Sequence, residues 1–275
     1  MAAKTIVLTG ASDGIGAAAA AELSRRGHRV VLVGRSPDKT REVAGRLQAP
    51  WHVADFAHLS SVRALAADLL AGYPRIDVLA NNAGAIFGRE RQVSADGHEM
   101  TFQVNYLAPF LLTRLLTDRL IDSRGTVINT SSLANRLFGN LDLADLESER
   151  NYDPRRAYGN SKLEQIMFTF ELDRRYRSHG LTSTAFHPGV IASNFSGVAG
   201  SAMHAAYHTP LRRLLGTPEK GARTLVFLAD GTPGEDYPTG RYFVRSRPAR
   251  PNRQARSGTL DLALWNRTTA MLQQD

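Results

Sequence analysis

Short apolar runs alternate along this chain with longer segments in which apolar residues recur every three or four positions. The short runs predict strands at residues 5–9, 29–33, 51–54, 76–80, 126–129, 182–186 and 241–244. The longer segments predict helices at residues 14–26, 37–47, 58–71, 100–120, 155–177 and 218–229, and Leu260, Leu264 and Met271 indicate a terminal helix. Strands that alternate with helices in this way predict an α/β fold, a doubly wound parallel sheet with helices on both faces.

Length and composition are compatible with one large domain. The chain has 275 residues, of which 43% are hydrophobic, enough for a substantial core. It has no cysteine, which excludes disulfides and thiolate chemistry. No linker or repeat divides residues 1–275, so a single domain is expected. Two long connections, at about residues 133–157 and 190–216, are interpreted as insertions that shape a substrate site.

The formal net charge of +8 and the pI of about 10.1 raise the alternative of a nucleic-acid or anionic-membrane surface. Much of the excess charge comes late in the chain, from Arg241, Arg245, Arg247, Arg250, Arg253 and Arg256. No nucleic-acid-binding motif or basic tail accompanies these arginines, so a solvated surface without nucleic-acid partners is favoured. No stretch approaches the ~20 apolar residues that span a bilayer, and a cytoplasmic protein without a membrane span is expected.

A glycine-rich turn joins the first predicted strand to the first predicted helix. Gly10, Gly14 and Gly16 allow the backbone to approach a pyrophosphate, toward which the helix directs its first amide groups. The spacing Gly-x-x-x-Gly-x-Gly differs from the commoner Gly-x-Gly-x-x-Gly, and a glycine turn alone can also be structural. The position between strand and helix favours dinucleotide binding. The predicted contacts of the turn are Gly10, Ser12, Asp13, Gly14, Ile15 and Gly16.

Tyr158 and Lys162 are four residues apart in a helical pattern and therefore lie on one helix face. A free phenol has a pKa near ~10, and a neighbouring ammonium lowers it by favouring the phenolate. The pair is a candidate acid/base device, although Tyr and Lys are also common on helix surfaces. Tyr152 and Arg156 have the same spacing, but Pro154 between them argues against a continuous helix. Tyr152 is interpreted as a loop residue.

Seven motifs are specific when they are taken together and in order. They are residues 9–16, Asp55, residues 81–84, Asn105, Ser131 with Ser132, Tyr158 with Lys162, and residues 187–189. On these motifs the chain resembles the short-chain dehydrogenase/reductases over nearly its whole length. Residues 104–113 and 157–163, with Leu264 and Trp265, resemble the retinol-dehydrogenase-like group of that family. The resemblance implies an NAD(P)-binding Rossmann fold.

The resemblance also implies a catalytic group of Asn105, Ser132, Tyr158 and Lys162. Tyr158 would donate a proton to a carbonyl oxygen or remove one from an alcohol. Lys162 would keep the pKa of the phenol low and bind the nicotinamide ribose. Ser132, rather than Ser131, would hold the substrate oxygen, and Asn105 would take part in a water-mediated proton relay to Lys162. Without the resemblance, Asn105 would be interpreted as an amide on a helix surface.

Further cofactor contacts implied by the resemblance lie at the strand ends. Asp55 would accept a hydrogen bond from the adenine amino group. Tyr158 and Lys162 would also contact the cofactor, and Ser193 would stand near the carboxamide, where a Thr is more usual. The other implied contacts are Phe56, Asn82, Ala83, Gly84, Pro188, Gly189 and Val190.

The residues after the second predicted strand favour NADP, with NAD as the alternative. An acidic residue there would bind the ribose 2′-hydroxyl, whereas this chain has Arg35, which can pair with a 2′-phosphate, and Lys39 nearby. Asp13 complicates the prediction, because a carboxylate close to that phosphate would be unfavourable. A role for Asp13 as a helix cap would resolve the conflict.

The two long connections predict an apolar substrate pocket over the nicotinamide. The predicted substrate contacts are Ser132, Leu133, Phe138, Tyr158 and Phe195. The alternative is that the apolar residues of these connections pack the loops onto the body of the protein. His204 and His208 have the i, i+4 spacing of a metal pair, but no third ligand accompanies them, and no metal site is expected.

The leading prediction is an NADP-dependent oxidoreductase that interconverts a carbonyl and an alcohol on a largely apolar small molecule. The alternatives are a catalytically silent nicotinamide-binding sensor, an Arg-rich scaffold and a C=C reductase. A sensor would be expected to lose Tyr158 or Lys162, and no motif supports a scaffold. Members of the family commonly pair through their terminal elements or long helices, so a homodimer or homotetramer is expected.

Overall fold

In the computed structural model, which describes residues 2–189 and 216–273, eight strands form one sheet in the order β3-β2-β1-β4-β5-β6-β7-β8. The strands are β1 Thr5–Thr9, β2 Arg29–Gly34, β3 Trp51–Val53, β4 Val78–Asn81, β5 Thr126–Thr130, β6 Thr182–His187, β7 Arg241–Val244 and β8 Arg247–Ala249. All neighbours pair in parallel except β7 and β8, which are antiparallel. The predicted doubly wound sheet is confirmed. The short edge strand β8 was not expected, because its Arg-Pro-Ala sequence has no apolar pattern.

Apart from a short helix at Ala134–Leu137, which the sequence does not predict, the helices begin and end near the predicted positions, with one exception. They are α1 Gly14–Arg25, α2 Pro37–Leu47, α3 Leu59–Gly72, α4 Met100–Phe102, α5 Ala108–Leu115, α6 Thr117–Asp122, α7 Ala134–Leu137, α8 Pro154–Tyr176, α9 Pro218–Asp230 and α10 Gly258–Met271. The exception is the single helix predicted at residues 100–120. It consists of α4, a π-helical turn at Gln103–Leu107, α5 and the start of α6.

Side chains alternate between two apolar layers along the central strands. In β1, Ile6 and Leu8 lie in one layer with residues of α1, α2 and α9, whereas Val7 lies in the other with residues of α3, α5, α8 and α10. All three side chains are fully buried. Because a strand directs successive side chains to opposite faces, an apolar run of this kind requires helices on both sides.

The carboxyl ends of β1 to β6 meet at one edge of the sheet. β1 lies between β2 and β4, so the order in which strands are added reverses at this position. Open α/β sheets bind their ligands at such a switch point. Gly10, Arg35, Asp55, Asn82 and Ser132 each follow a strand within two residues at this edge. The fold therefore gathers residues that are far apart in the sequence.

The C-terminal helix α10 packs across α5 and α8. The indole of Trp265 is buried, and its centroid lies 4.9 Å from that of Phe110 and 5.9 Å from that of Phe168. The hydroxyls of Tyr106 and Thr268 are 2.9 Å apart and share a hydrogen bond. The predicted terminal helix is thus present, and its Trp265 packs on both of these helices.

We expect Trp265→Ala to lower the free energy of unfolding by about 3–5 kcal/mol, because truncating a buried aromatic side chain leaves a cavity. Leu262→Ala is the matched control, since Leu262 is on the same helix but 42% exposed, and its expected cost is below about 1 kcal/mol. Urea denaturation of both variants measures the difference. Equal unfolding midpoints would show that Trp265 does not anchor α10.

Candidate active site

α8 carries Tyr158 and Lys162 on one face. Lys162 is only 2% exposed, and its Nζ lies 5.7 Å from the centroid of the half-buried Tyr158 ring. The same Nζ donates a 3.0 Å hydrogen bond to the main-chain oxygen of Thr130, the last residue of β5. The ammonium is therefore held between the helix and the end of a central strand.

Burial lowers the pKa of Lys162 to about 7. The cause is desolvation, because a charged amine loses more hydration free energy than a neutral amine when it leaves water. An ionised phenol beside the amine would oppose this effect by favouring the ammonium. The ammonium would in turn favour the phenolate, so each member of the pair stabilises the charged form of the other.

Tyr152 lies outside α8, as the position of Pro154 predicts. α8 begins at Pro154, and the Asp153 side chain caps it by accepting a 2.8 Å hydrogen bond from the amide of Arg156. The Tyr152 hydroxyl donates to Glu99 Oε1 at 3.4 Å. Burial and the Glu99 charge raise the pKa of Tyr152 to about 12, the opposite of what a base at neutral pH requires.

The two adjacent serines after β5 have different surroundings. The Ser131 hydroxyl is buried and donates a 2.7 Å hydrogen bond to the main-chain oxygen of Lys162. Ser132 is half-buried, and its Oγ accepts a 3.2 Å hydrogen bond from the amide of Ala134. Ser131 thus joins β5 to α8, and this arrangement favours Ser132 as the residue that holds a substrate oxygen.

Asn105 lies in the π-helical turn and is fully buried, so its interpretation as a surface amide is wrong. Its Nδ2 donates to Ala85 O at 2.9 Å and to Ser161 Oγ at 3.1 Å, and its Oδ1 accepts from Ala85 N at 2.8 Å. A Cβ on Gly84 would lie 3.1 Å from both Asn105 Oδ1 and Lys162 Nζ. Asn105 therefore ties the loop after β4 to α8, close to the amine.

The glycine turn after β1 is closely packed at two of its glycines. Gly10 has a φ of 65°, and a Cβ on Gly16 would lie 2.1 Å from the Gly10 oxygen, so neither position accepts a side chain without a shift. Asp13 caps α1 by accepting a 2.7 Å hydrogen bond from Gly14 N, which confirms its role as a helix cap. Its other carboxylate oxygen lies 3.8 Å from Lys39 Nζ.

The loop after β4 is bonded to the glycine turn. The Thr9 hydroxyl accepts 3.0 Å hydrogen bonds from the amides of Asn82 and Ala83. The Asn82 side chain donates to the oxygens of Thr9 and Gly10 at 3.0 and 3.3 Å. These bonds close the switch point between β1 and β4 and hold Ala83 and Gly84 beside it.

Three more predicted cofactor contacts lie in this turn or beside it. Arg35 is exposed directly after β2. A Cβ on the neighbouring Gly34 would lie 3.0 Å from Ser12 Oγ, so the end of β2 packs closely against the turn. Ile15 is partly buried at the start of α1, where it packs against the core.

Asp55 and Phe56 follow β3 but point to different surroundings. Asp55 is half-buried, and its Oδ1 accepts a 3.0 Å hydrogen bond from the amide of Ala57, which orients the carboxylate. The Phe56 side chain is buried in the apolar layer with residues of α3. Only the main chain of Phe56 is therefore suited to contact an adenine.

The segment after β6 is described as far as Gly189, which follows Pro188 and has a φ of 97°. His187 Nδ1 accepts a 3.2 Å hydrogen bond from the amide of Leu133, which links this segment to the loop after β5. Val190, Ser193, Phe195, His204 and His208 lie outside the described residues. Within residues 2–189 and 216–273, no three His, Cys, Asp or Glu side chains are grouped to hold a metal ion.

Gln165 lies at the site although no motif marks it. Its Nε2 donates to the main-chain oxygen of Asn105. Two signals in the sequence could have indicated the contact. Gln165 follows Lys162 by three residues on the same helix, and Pro109 follows Asn105 by four, where a proline has no amide hydrogen for the Asn105 oxygen.

Known proteins are similar to this chain in sequence and fold. The family model described as short chain dehydrogenase matches residues 4–203. A Streptomyces sp. (strain C5) protein, provisionally named daunorubicin C-13 ketoreductase DnrU, is 39% identical over 97% of this chain and 92% of its own length. Human retinol dehydrogenase 14 is 35% identical, over 98% of this chain and 86% of its own length. The solved structure of a Shigella flexneri short chain dehydrogenase complexed with NADP is 25% identical and has a TM-score of 0.67. The match covers 89% of this chain and 97% of that chain. The predicted resemblance is confirmed.

His187 is expected to make stability depend on pH. Burial lowers the pKa of His187 to about 4, whereas the unfolded chain has the ordinary value near ~6.5. The unfolded state therefore binds more protons between these values, and the fold loses stability as pH falls through this range. When the pH is lowered from 6.5 to 4.5, we expect the free energy of unfolding of wild type to fall. In His187→Gln it should fall by about 2 kcal/mol less.

Urea denaturation at both pH values measures this difference. His179→Gln, which changes an exposed histidine, is the control and should follow wild type. If His187→Gln lost as much stability as wild type, the assignment of the pH dependence to His187 would be wrong.

Proposed function

We propose that this chain, which belongs to the short chain dehydrogenase family and is therefore an oxidoreductase of alcohol and carbonyl groups, acts on a largely apolar small molecule with NADP as its cofactor. The observation that carries the proposal is the placement of Tyr158 beside the buried Lys162 amine at the carboxyl edge of the sheet. Ser132 and Asn105 lie on the elements that contact this pair.

In the proposed reaction, Tyr158 transfers the proton. Its hydroxyl donates a proton to the carbonyl oxygen during reduction, and its phenolate accepts the alcohol proton during oxidation. Lys162 supports both steps, because an ammonium beside the ring favours the phenolate. Ser132 orients the reacting oxygen with its hydroxyl. The nicotinamide, when bound, supplies or accepts the hydride.

The residues at the switch point fit a phosphorylated dinucleotide. Arg35 is exposed at the end of β2, where an NAD enzyme would carry an acidic residue. The charge of Asp13, which would repel a 2′-phosphate, is partly offset by Lys39 at 3.8 Å. A Cβ on Gly84 would lie 3.1 Å from Lys162 Nζ, so a side chain there would crowd the amine that is proposed to bind the nicotinamide ribose. The NADP complex of the Shigella flexneri relative supports the same cofactor for this chain.

An apolar substrate is favoured by the surface beside Tyr158. Leu137 and Phe138 are 63% and 42% exposed, although burial of such side chains is favourable. Their segment packs against α8 next to Tyr158, since a Cβ on Gly159 would lie 2.8 Å from Phe138 Cβ. A bound hydrocarbon skeleton would cover these side chains. The names of the retinol dehydrogenase and ketoreductase relatives support an alcohol or ketone on an organic molecule of this kind.

A homo-oligomer in the cytoplasm, built from a single-domain chain, is proposed with one restriction. Trp265 of α10 packs on Phe110 of α5 and Phe168 of α8, so pairing of subunits through these two helices is disfavoured. Of the helices in the described part of the chain, none has the length and apolar character needed to cross a membrane.

Tyr158→Phe is expected to lower kcat at least about 100-fold, the usual scale of general acid–base catalysis, while NADPH binding is retained. NADPH consumption with a panel of apolar aldehydes and ketones measures turnover, and quenching of protein fluorescence measures binding. Tyr152→Phe is the matched control and should change kcat less than about threefold. A folded Tyr158→Phe protein with full turnover would refute the proposed proton transfer. The product from an α,β-unsaturated ketone separates carbonyl reduction from the alternative, C=C reduction. Carbonyl reduction should give the allylic alcohol.

Arg35→Ala is expected to raise the KM for NADPH at least about tenfold, because a charge-assisted contact with the 2′-phosphate is lost. The KM for NADH should change little, since NADH lacks that phosphate. Arg41→Ala is the control, because Arg41 pairs with Asp38 on the exposed face of α2. Equal changes in the two KM values of Arg35→Ala would contradict an NADP contact.

A further inference from the structure

The main-chain oxygen of Asn105 is in an unusual position within its helix. In an α-helix this oxygen would accept a hydrogen bond from the amide of residue 109. Residue 109 is a proline, which has no amide hydrogen and whose ring crowds the oxygen four residues earlier. The chain forms the π-helical turn Gln103–Leu107 at this point. Such turns occur where an α-helix is interrupted.

Gln165 supplies a donor to this oxygen from a different helix. Its side chain is buried, and Nε2 donates to the Asn105 oxygen. Since that oxygen can only accept, the amide must present its NH₂ group to it. Among the described residues, Gln165 Oε1 is buried without a hydrogen-bond partner. A buried acceptor in this state costs stability, and a leucine would fill the same space without that cost.

The contact between Gln165 and Asn105 bears on the catalytic geometry. The Asn105 side chain binds both the amide and the oxygen of Ala85 and also Ser161, the residue before Lys162. A rotation of the π-helical turn would therefore move the loop after β4 relative to α8. Gly84, in that loop, lies beside the Lys162 amine. The main-chain contact thus determines where Asn105 places the two sides of the site.

We propose that Gln165 is a positioning residue for proton transfer: it replaces the helical donor that Pro109 lacks, and it fixes the π-helical turn that presents Asn105 to Lys162. The proposal rests on the proposed oxidoreductase function. Gln165 itself touches no reacting atom. Its effect should therefore appear in turnover and not in the binding of NADPH.

Gln165→Leu removes the donor and keeps a side chain of similar size. We expect kcat to fall about tenfold, the factor expected for losing one buried hydrogen bond from the reactive geometry, with the KM for NADPH within twofold of wild type. Glu164→Gln is the matched control, because Glu164 is an equally buried neighbour on α8 and burial raises its pKa well above the ordinary range. That change should leave kcat within twofold.

A second change tests the link to Pro109. Pro109→Ala restores an amide hydrogen opposite the Asn105 oxygen. In the Gln165→Leu background it should recover at least half of the lost kcat, a non-additive result that independent sites would not give. A Gln165→Leu protein with wild-type kcat, or an additive further loss in the double variant, would overturn the proposal.

A third variant keeps the test decisive if Gln165→Leu does not fold. The carboxyl introduced by Gln165→Glu can donate only when it is protonated. The ratio of its kcat to that of wild type should therefore fall as pH rises, and a ratio independent of pH would overturn the proposal.

Hydrogen exchange of the amides in residues 103–108 gives a readout without substrate: Gln165→Leu should increase exchange there. Faster exchange in a protein that reduces no carbonyl would refute the proposed function alone, whereas unchanged exchange with an active wild type would refute the role of Gln165.

Discussion

The burial of the Lys162 amine is the constraint on which the site depends. A charged amine at 2% exposure is costly, and desolvation lowers its pKa to about 7. The surrounding elements meet at this group: the end of β5 supplies the Thr130 oxygen, α8 supplies the Tyr158 ring, and the loop after β4 approaches through Gly84. A phenolate beside the buried amine would favour the ammonium, and the ammonium would favour the phenolate, as the proposed proton transfer through Tyr158 needs.

A buried polar network joins α8 to the π-helical turn and to the central strands. Gln165 joins α8 to the π-helical turn, and the Thr169 hydroxyl donates to the main-chain oxygen of Gln165 at 2.7 Å. The network continues from Thr169 to Asn129 and from Asn129 to Asn81, each at 2.9 Å. Buried polar groups strengthen one another when they are paired and are costly when they are not. The network therefore favours one register between α8 and the central strands over all alternatives.

The agreements and the differences between the predicted elements and the structure have identifiable causes. Strand and helix positions followed from hydrophobic periodicity, which reports burial directly. The helix predicted at residues 100–120 contains a π-helical turn shortly before Pro109, which cannot donate to the Asn105 oxygen, and a periodicity pattern does not detect this effect. Phe56 was assigned to the cofactor, yet its side chain lies in the core. The strand-end position was predicted correctly, but the direction of one side chain depends on the packing of α3.

Features that act over a few residues can be predicted from the amino-acid sequence alone. They include the glycine turn, the cap at Asp13, the start of α8 at Pro154 and the common helix face of Tyr158 and Lys162, because local backbone geometry sets each of them. Features that join distant segments depend instead on how the folded chain packs. The burial of Lys162, the different surroundings of Ser131 and Ser132, and the bond between Gln165 and Asn105 are of this kind. Sixty positions separate the last pair in the chain, and no local pattern records which residues the fold will bring into contact.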